Sequence, residues 1–98
     1  MIEGLNKLFE SRVRLGAMSA LMVNSRVDFN TLKELLKVTD GNLASHLNAL
    51  EKNGFITVEK EFVGRKPRTT YAATSLGKKE FQAHLNALEA LLRNQLGK

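Results

Sequence analysis

The hydrophobic positions of this chain first repeat with a helical period. From residue 3 to residue 23, apolar side chains return at steps of three and four, which predicts an amphipathic helix. The stripe consists of Leu5, Leu8, Phe9, Val13, Ala17, Leu21 and Met22. Residues 27–29 favour a short strand, and a second, shorter helix follows with Asn30 or Thr31 as its N-cap. Its buried face is Leu32, Leu35, Leu36 and Val38.

A third helix is predicted over about residues 39–53. The Thr39 hydroxyl suits an N-cap, and Asp40 places a negative charge where the helix dipole favours one. The apolar side of this helix is Leu43, Leu47 and Leu50. The other side shows Asn42, Ala44, Ser45, His46, Asn48, Ala49 and Lys52. One face is therefore built for burial, while the opposite face is slim and rich in hydrogen-bonding groups.

The pattern then changes to the alternation of a β-hairpin, expected over about residues 55–74. Apolar and polar residues alternate from 55 to 63, which predicts a half-buried strand. Its inward residues are Ile56, Val58 and Phe62. The next five residues, Gly64–Arg68, hold three cations and the only proline of the chain, so we expect a short basic loop. Residues 69–74 form the return strand.

A last helix is predicted over about residues 76–96, capped by Thr74 or Ser75. Its apolar stripe has the 4-3-4 spacing of a coiled-coil seam. The stripe is Phe81, Leu85, Leu88 and Leu92. It can pack within its own domain, but in a chain this short we prefer that it packs on a second subunit.

Composition narrows the class of protein. Ninety-eight residues predict a single domain over 1–98, and the absence of cysteine excludes a disulfide framework and a thiolate metal site. With 43% apolar and 26% charged residues the chain is expected to be globular, and no apolar run approaches the ~18 residues of a membrane span. The net charge is +1 over residues 1–40 and +4 over residues 41–98. The basic excess therefore lies in the half of the chain that holds the third helix and the hairpin, and this favours a polyanionic partner.

Two short helices joined by a tight turn, the second with a polar face, are typical of a helix-turn-helix, and a basic hairpin directly after them makes it winged. A slim polar helix can offer donors and acceptors to base edges in the major groove, and cations at a hairpin tip can reach phosphates or the minor groove. The predicted DNA-binding residues are Asn42, Ser45, His46, Asn48, Lys52, Arg65, Lys66 and Arg68.

The same residues carry a family resemblance. T-D-G-N-L-A-S-H-L-x-x-L-E-K-x-G-F-I from Thr39, the wing G-R-K-P-R-T-x-Y from Gly64 and T-x-x-G from Thr74 resemble winged-helix transcription regulators of the MarR/ArsR/PadR type. The likeness extends over nearly the whole chain. It implies a mainly α (α+β) fold, a three-helix core with a β-hairpin wing, in which residues 39–52 form the recognition helix. It also implies a homodimer joined through its terminal helices.

The dimer interface expected on this basis comprises Leu5, Leu8, Phe81, Leu85, Leu88 and Leu92. A palindromic duplex is the expected DNA partner, in the cytoplasm of a bacterial or archaeal cell. No cofactor or metal is expected, since the chain has no cysteine and only two histidines. A small-molecule effector is left open, with Phe9, Met18 and Met22 as pocket-lining candidates that are more often plain core.

Several side chains keep two interpretations. His46 is favoured as a DNA contact whose effect should grow at lower pH, against a merely exposed position. Asn42 can read adenine or cap a turn, and Asn48 is more often only solvated. His84 is expected on the surface or in an interface rather than as a metal ligand. Arg12 and Arg14 are left as surface charges or as contacts to DNA or to a partner.

Two functions compete with DNA binding. A winged helix can instead serve as a protein-interaction module, although the polar face of the third helix argues against it. An enzyme is not expected, because the sequence has no nucleophile–base set, no phosphate-cradling glycine loop and no H-E-x-x-H motif.

Overall fold

The computed structural model describes residues 3–96, and the side chains of residues 3–94. The elements in this range are a 3₁₀ turn (Lys7–Phe9), α1 (Arg12–Val23), β1 (Val27–Asp28), α2 (Phe29–Leu36), α3 (Asp40–Lys52), β2 (Ile56–Val63), β3 (Lys66–Ala73) and α4 (Ser75–Leu96). The strands form one antiparallel sheet in the order β1-β3-β2. This is the expected α+β winged helix, with the short first strand confirmed. None of the described helices is long and apolar enough to cross a membrane.

The first helix begins later than the apolar spacing predicts. The Ser11 hydroxyl accepts a hydrogen bond from the Arg14 backbone N–H at 3.3 Å and caps α1. Before it, the Asn6 side chain accepts from the Leu8 backbone N–H at 2.9 Å and starts the separate 3₁₀ turn. Each of these two polar side chains satisfies a free backbone N–H at the first turn of its own helical segment. The chain therefore bends between the 3₁₀ turn and α1. The prediction of one helix from residue 3 is therefore wrong.

The helix-turn-helix is defined by its caps. Asp28, not Asn30 or Thr31, caps α2, since its carboxylate accepts the Thr31 backbone N–H at 2.8 Å. Lys37 takes a left-handed conformation (φ 56°) that ends α2. The Thr39 hydroxyl then accepts the Asn42 backbone N–H at 3.1 Å, so the cap predicted for α3 is confirmed.

The core lies between the three helices and the root of the hairpin. Its fully buried side chains include Phe9, Met18, Leu21, Leu32, Leu43, Leu47, Leu50 and Ile56. The Phe9 ring stacks on Phe55 with centroids 5.5 Å apart and meets Phe81 edge-on at 5.0 Å. The 3₁₀ turn thereby fastens α4 to the body of the domain. Phe9 and Met18, which the sequence left open as pocket-lining candidates, are fully buried core residues.

The apolar stripe of α4 is divided between the core and solvent. Phe81 is 2% exposed and packs on Phe9, so its prediction as a dimer contact is wrong for this structure: its own chain covers it. Leu85 and Leu92 are 37% and 62% exposed, and Leu88 is half-buried. Only the stripe beyond Phe81 is left for another surface.

The hairpin projects beyond the core. Its strands pair from Ile56 with Ala73 to Val63 with Lys66, joined by a two-residue turn that starts at Gly64 (φ 65°). The five-residue basic loop is therefore wrong, because Lys66 and Arg68 belong to β3. Only the root is buried, and Phe62, expected to face inward, is 75% exposed because no helix lies under that part of the hairpin.

The start of α4 packs tightly against the chain that leaves α3. Thr74 caps α4, since its hydroxyl accepts the Gly77 backbone N–H at 2.9 Å and donates to the Gly54 carbonyl at 2.6 Å. A Cβ at Gly77 would overlap the carbonyl oxygen of Phe55 and lie 2.8 Å from its carbonyl carbon. Any side chain there must push two backbone segments apart.

Gly77→Ala is accordingly expected to lower the free energy of unfolding by about 2–3 kcal/mol, as overpacking does. Gly41→Ala is the matched control: nothing lies within 4 Å of a Cβ there, and alanine favours the helix. That variant should be neutral or more stable by up to about 1 kcal/mol. Urea midpoints measure both, and equal midpoints would contradict the close packing at Gly77.

Candidate nucleic-acid interface

The helix α3 presents its polar side to solvent, as predicted. Leu43, Leu47 and Leu50 are buried, at most 2% exposed, which fixes the rotation of the helix. The opposite side therefore faces outward with Asn42, Ser45, Asn48 and Lys52 exposed. Of the two acids in α3, Asp40 is held by Lys33, whose Nζ lies 2.8 Å from its Oδ1, and Glu51 lies at the far end. Asp40 is structural, as the sequence favoured.

The exposed side of α3 continues into the hairpin. A shallow groove along α3 is lined by Ser45, Asn48, Ala49, Glu51 and Lys52. A second groove between α3 and the sheet is lined by Phe29, Asn48, Glu51, Val58, Lys60, Thr69 and Tyr71. Asn48 and Glu51 belong to both grooves, so the predicted recognition helix and the wing share one concave surface. Of the predicted DNA-binding residues, Ser45, Asn48 and Lys52 line this surface, whereas Arg65, Lys66 and Arg68 line neither groove.

The wing cations differ in how free they are. Arg65 in the turn and Lys66 at the start of β3 are exposed, and the side chain of neither forms a hydrogen bond or ion pair with another described residue. Arg68 instead leans back towards Asp28, with its Nε 3.7 Å from Oδ2. The hydrogen bond from Thr31 lowers the pKa of Asp28, and the Arg68 charge adds to this effect. Arg65 and Lys66 are thus better placed for an external anion than Arg68.

His46 occupies the boundary between the exposed and buried sides of α3. It is half-buried, and its Nδ1 lies 2.7 Å from Nη1 of Arg14 on α1. Burial lowers the pKa of His46, and the Arg14 charge lowers it further. The ring therefore stays neutral to a lower pH than an ordinary histidine.

Arg12 and Arg14, left open by the sequence, both bind carbonyls of their own chain. Arg12 donates through Nη1 to the Leu36 carbonyl at the end of α2 at 3.3 Å, where the helix dipole favours a cation. Arg14 donates through Nε to the Leu8 carbonyl at 2.6 Å. Both bonds hold neighbouring elements against α1.

His84 is buried inside the domain, so its expected place on the surface or in an interface is wrong. Its side chain is 4% exposed, its Nδ1 accepts the Asn6 backbone N–H at 2.9 Å, and its ring meets Phe9 edge-on. The physical reason is the bend after Asn6, which folds the N-terminal segment over α4. That segment places Leu8 against the core and leaves Leu5 half-exposed.

Comparison with known proteins decides the family. Residues 13–92 match the family model described as a winged helix DNA-binding domain. The chain belongs to this winged helix family. It is 34% identical over 88 residues to an uncharacterized protein of Methanocaldococcus jannaschii, covering 90% of this chain and 96% of that one.

Solved structures agree with this assignment. A transcriptional regulator homologue from Pyrococcus horikoshii OT3 has a TM-score of 0.83 and 31% identity, over 91% of this chain and 88% of that one. MepR of S. aureus, solved in complex with DNA, shares the fold at a TM-score of 0.76 and 15% identity, over 95% and 76% of the chains. MarR itself gives 0.75 and 22%, over 91% and 66%. The expected resemblance is confirmed at the level of the fold, which the chain shares with MarR, and the matched family is one of winged helix DNA-binding domains.

Proposed function

We propose that this winged helix chain binds double-stranded DNA sequence-specifically as a homodimeric transcriptional regulator, with α3 in the major groove and the wing on the backbone or in the minor groove. The observation that carries the proposal is the shared surface of α3 and the hairpin, which joins at Asn48 and Glu51 and exposes the polar groups of Ser45 and Asn48 and the cations Lys52 and Lys60. The DNA complex of the structural neighbour MepR supports the same use of this fold.

Within this proposal the side chains have two kinds of role. Asn42, Ser45, His46 and Asn48 would read base edges, because amides, hydroxyls and imidazoles match the donor and acceptor pattern of the major groove. Lys52, Arg65 and Lys66 would bind phosphates, which gives affinity without sequence information. Arg68, already near Asp28, would contribute less.

The proposed homodimer rests on the elongated shape of the chain and on the exposed leucines of α4. The radius of gyration is 15.0 Å, against the about 13 Å of a compact chain of this length, and the longest extent is 58 Å. Leu85 and Leu92 are exposed and Leu88 is half-buried along this 22-residue helix. Pairing of α4 helices would cover these leucines and place two α3 helices about 34 Å apart, one turn of DNA, over a palindromic site.

Selection of bound sequences from a random duplex pool, repeated at two salt concentrations, tests the proposal. The expected result is a two-fold symmetric motif, bound by a protein whose mass in sedimentation equilibrium is that of a dimer. Affinity should fall with salt with a logarithmic slope of about −0.9 per neutralised phosphate. If no sequence is enriched from the pool, sequence-specific DNA binding is contradicted. An asymmetric motif bound by a monomer would contradict the homodimer. The proposal places the protein in the cytoplasm of a bacterial or archaeal cell, without a cofactor.

One observation favours the alternative, a protein-interaction module. The hairpin end exposes Phe62 (75%) and Val63 (55%), which are apolar side chains at a projecting tip. A partner protein that protects this tip, together with the absence of a shift with any duplex, would favour docking over DNA binding.

A further inference from the structure

Arg14 joins three parts of the fold at the edge of the proposed DNA surface. From α1, its Nε donates to the carbonyl of Leu8 in the 3₁₀ turn, and its Nη1 lies 2.7 Å from Nδ1 of His46 on α3. A guanidinium has only donors and keeps its proton at every ordinary pH. The Nδ1 of His46 must therefore accept, and it carries no proton.

The other ring nitrogen is then determined. A neutral imidazole with a bare Nδ1 carries its proton on Nε2. No described residue bonds to Nε2, and among the described side chains no buried polar atom lacks a partner. Nε2–H is consequently a donor without a partner among the described residues, and it reaches solvent.

We propose that Arg14 is a positioning residue for DNA recognition: it holds the His46 ring so that Nε2–H is presented to DNA as a neutral hydrogen-bond donor. The inference rests on the proposed function and deepens it. The group recognised is a hydrogen-bond acceptor, either a phosphate oxygen or an acceptor on a base edge in the major groove.

The charges around the ring agree with a neutral donor. Burial lowers the pKa of His46, and among the described residues Arg14 is the one charged group that lowers it further. The 3₁₀ turn contributes the Leu8 carbonyl, which Arg14 occupies, and no acid of α3 acts on the ring. Lowering the pH from 8 to 6.5 should therefore protonate His46 less than it would protonate an ordinary histidine. The rise in affinity at lower pH that the sequence favours should be correspondingly weak.

The test in the free protein compares Arg14→Met with Arg12→Met by ¹⁵N NMR of the histidine rings. Both variants remove one α1 guanidinium and one bond to a backbone carbonyl, but only Arg14 touches His46. In the wild type and in Arg12→Met, Nδ1 should be unprotonated and the pKa of His46 below its ordinary value. Arg14→Met should raise that pKa, and Arg14→Lys should restore it. A protonated Nδ1 in the wild type, or equal pKa values in the two methionine variants, would overturn the proposal.

The second arm measures affinity for a duplex from the selection and for a scrambled duplex at pH 6.5 and 8. Arg14→Met should bind the selected duplex about fivefold more weakly at pH 8, the loss of about one hydrogen bond, and its affinity should depend on pH more strongly than that of Arg12→Met. Loss on the selected duplex alone identifies a base edge, and equal loss on both identifies a phosphate. If no duplex binds, the proposed function fails, while the NMR comparison still decides the role of Arg14.

Discussion

Ser45→Glu is expected to abolish duplex binding and to leave the fold intact. Ser45 is exposed in the middle of α3 and lines the groove along it, so a carboxylate there would face the phosphates on either side of the major groove. Like charges brought together in an interface cost several kcal/mol, so affinity should fall about 100-fold or more. Glutamate is a good helix former, and the thermal midpoint should not decrease.

Ser19→Glu is the matched control for this variant. Ser19 is also an exposed helical serine, but it lies on α1 and its hydroxyl donates only to the Leu15 carbonyl of the same helix. Its net charge change is identical, so binding should fall far less than with Ser45→Glu. Fluorescence anisotropy with the selected duplex measures both, and an equal loss would show that α3 is not the reading helix.

Removing the two free wing cations is expected to weaken binding to every sequence. In Arg65→Ala/Lys66→Ala, two exposed charges without partners in the described part of the chain are lost. If each cation neutralises one phosphate, the slope of log affinity against log salt concentration should become shallower by about 1.8, since each contact contributes about 0.9. Affinity at moderate salt should fall about 10- to 100-fold, and the preferred motif should not change.

A variant of equal charge separates this effect from net charge. Lys78→Ala/Lys79→Ala removes two exposed cations from the start of α4, outside α3 and the hairpin. It should change the salt slope by much less than the wing variant. A wing variant that alters the preferred sequence while keeping the salt slope would assign Arg65 and Lys66 to base reading.

The helix α3 could be predicted closely because its signals are local. Thr39, the leucines of the buried side and Asn53-Gly54 all lie within 16 residues of one another, so cap, face and end follow from chemistry along the chain. Asp28 shows the limit of such reasoning. Asn30 and Thr31 are also capping residues, and the choice among neighbours depends on the pairing of residues 27–28 with β3.

The wrong predictions concern residues whose burial depends on where the core ends. Phe62 and Phe81 both occupy apolar positions in the periodic pattern of their element, yet Phe62 is 75% exposed and Phe81 is 2% exposed. Periodicity says which side of an element is apolar, but not how far the element runs past its neighbours. The burial of His84 does not follow from periodicity either, since the N-terminal segment that covers it is distant in sequence.

The sequence carries one signal for the contact between Arg14 and His46. Arg14 precedes the buried Ala17 and Met18 by three and four residues, so it lies on the inward side of α1. A cation on a buried side needs acceptors from its neighbours. Which acceptors it meets, the Leu8 carbonyl and His46, depends on the packing of α1 against α3.

The most direct test of the account is an NMR titration of the ¹⁵N-labelled protein with the selected duplex. Binding through the shared surface predicts that the largest backbone amide changes fall in residues 42–52 of α3 and 60–68 of the hairpin. The exposed end of α4 around Leu92 should change little, because the proposal assigns it to the second subunit. Changes confined to α4, or none at saturating duplex, would contradict DNA binding through α3 and the wing.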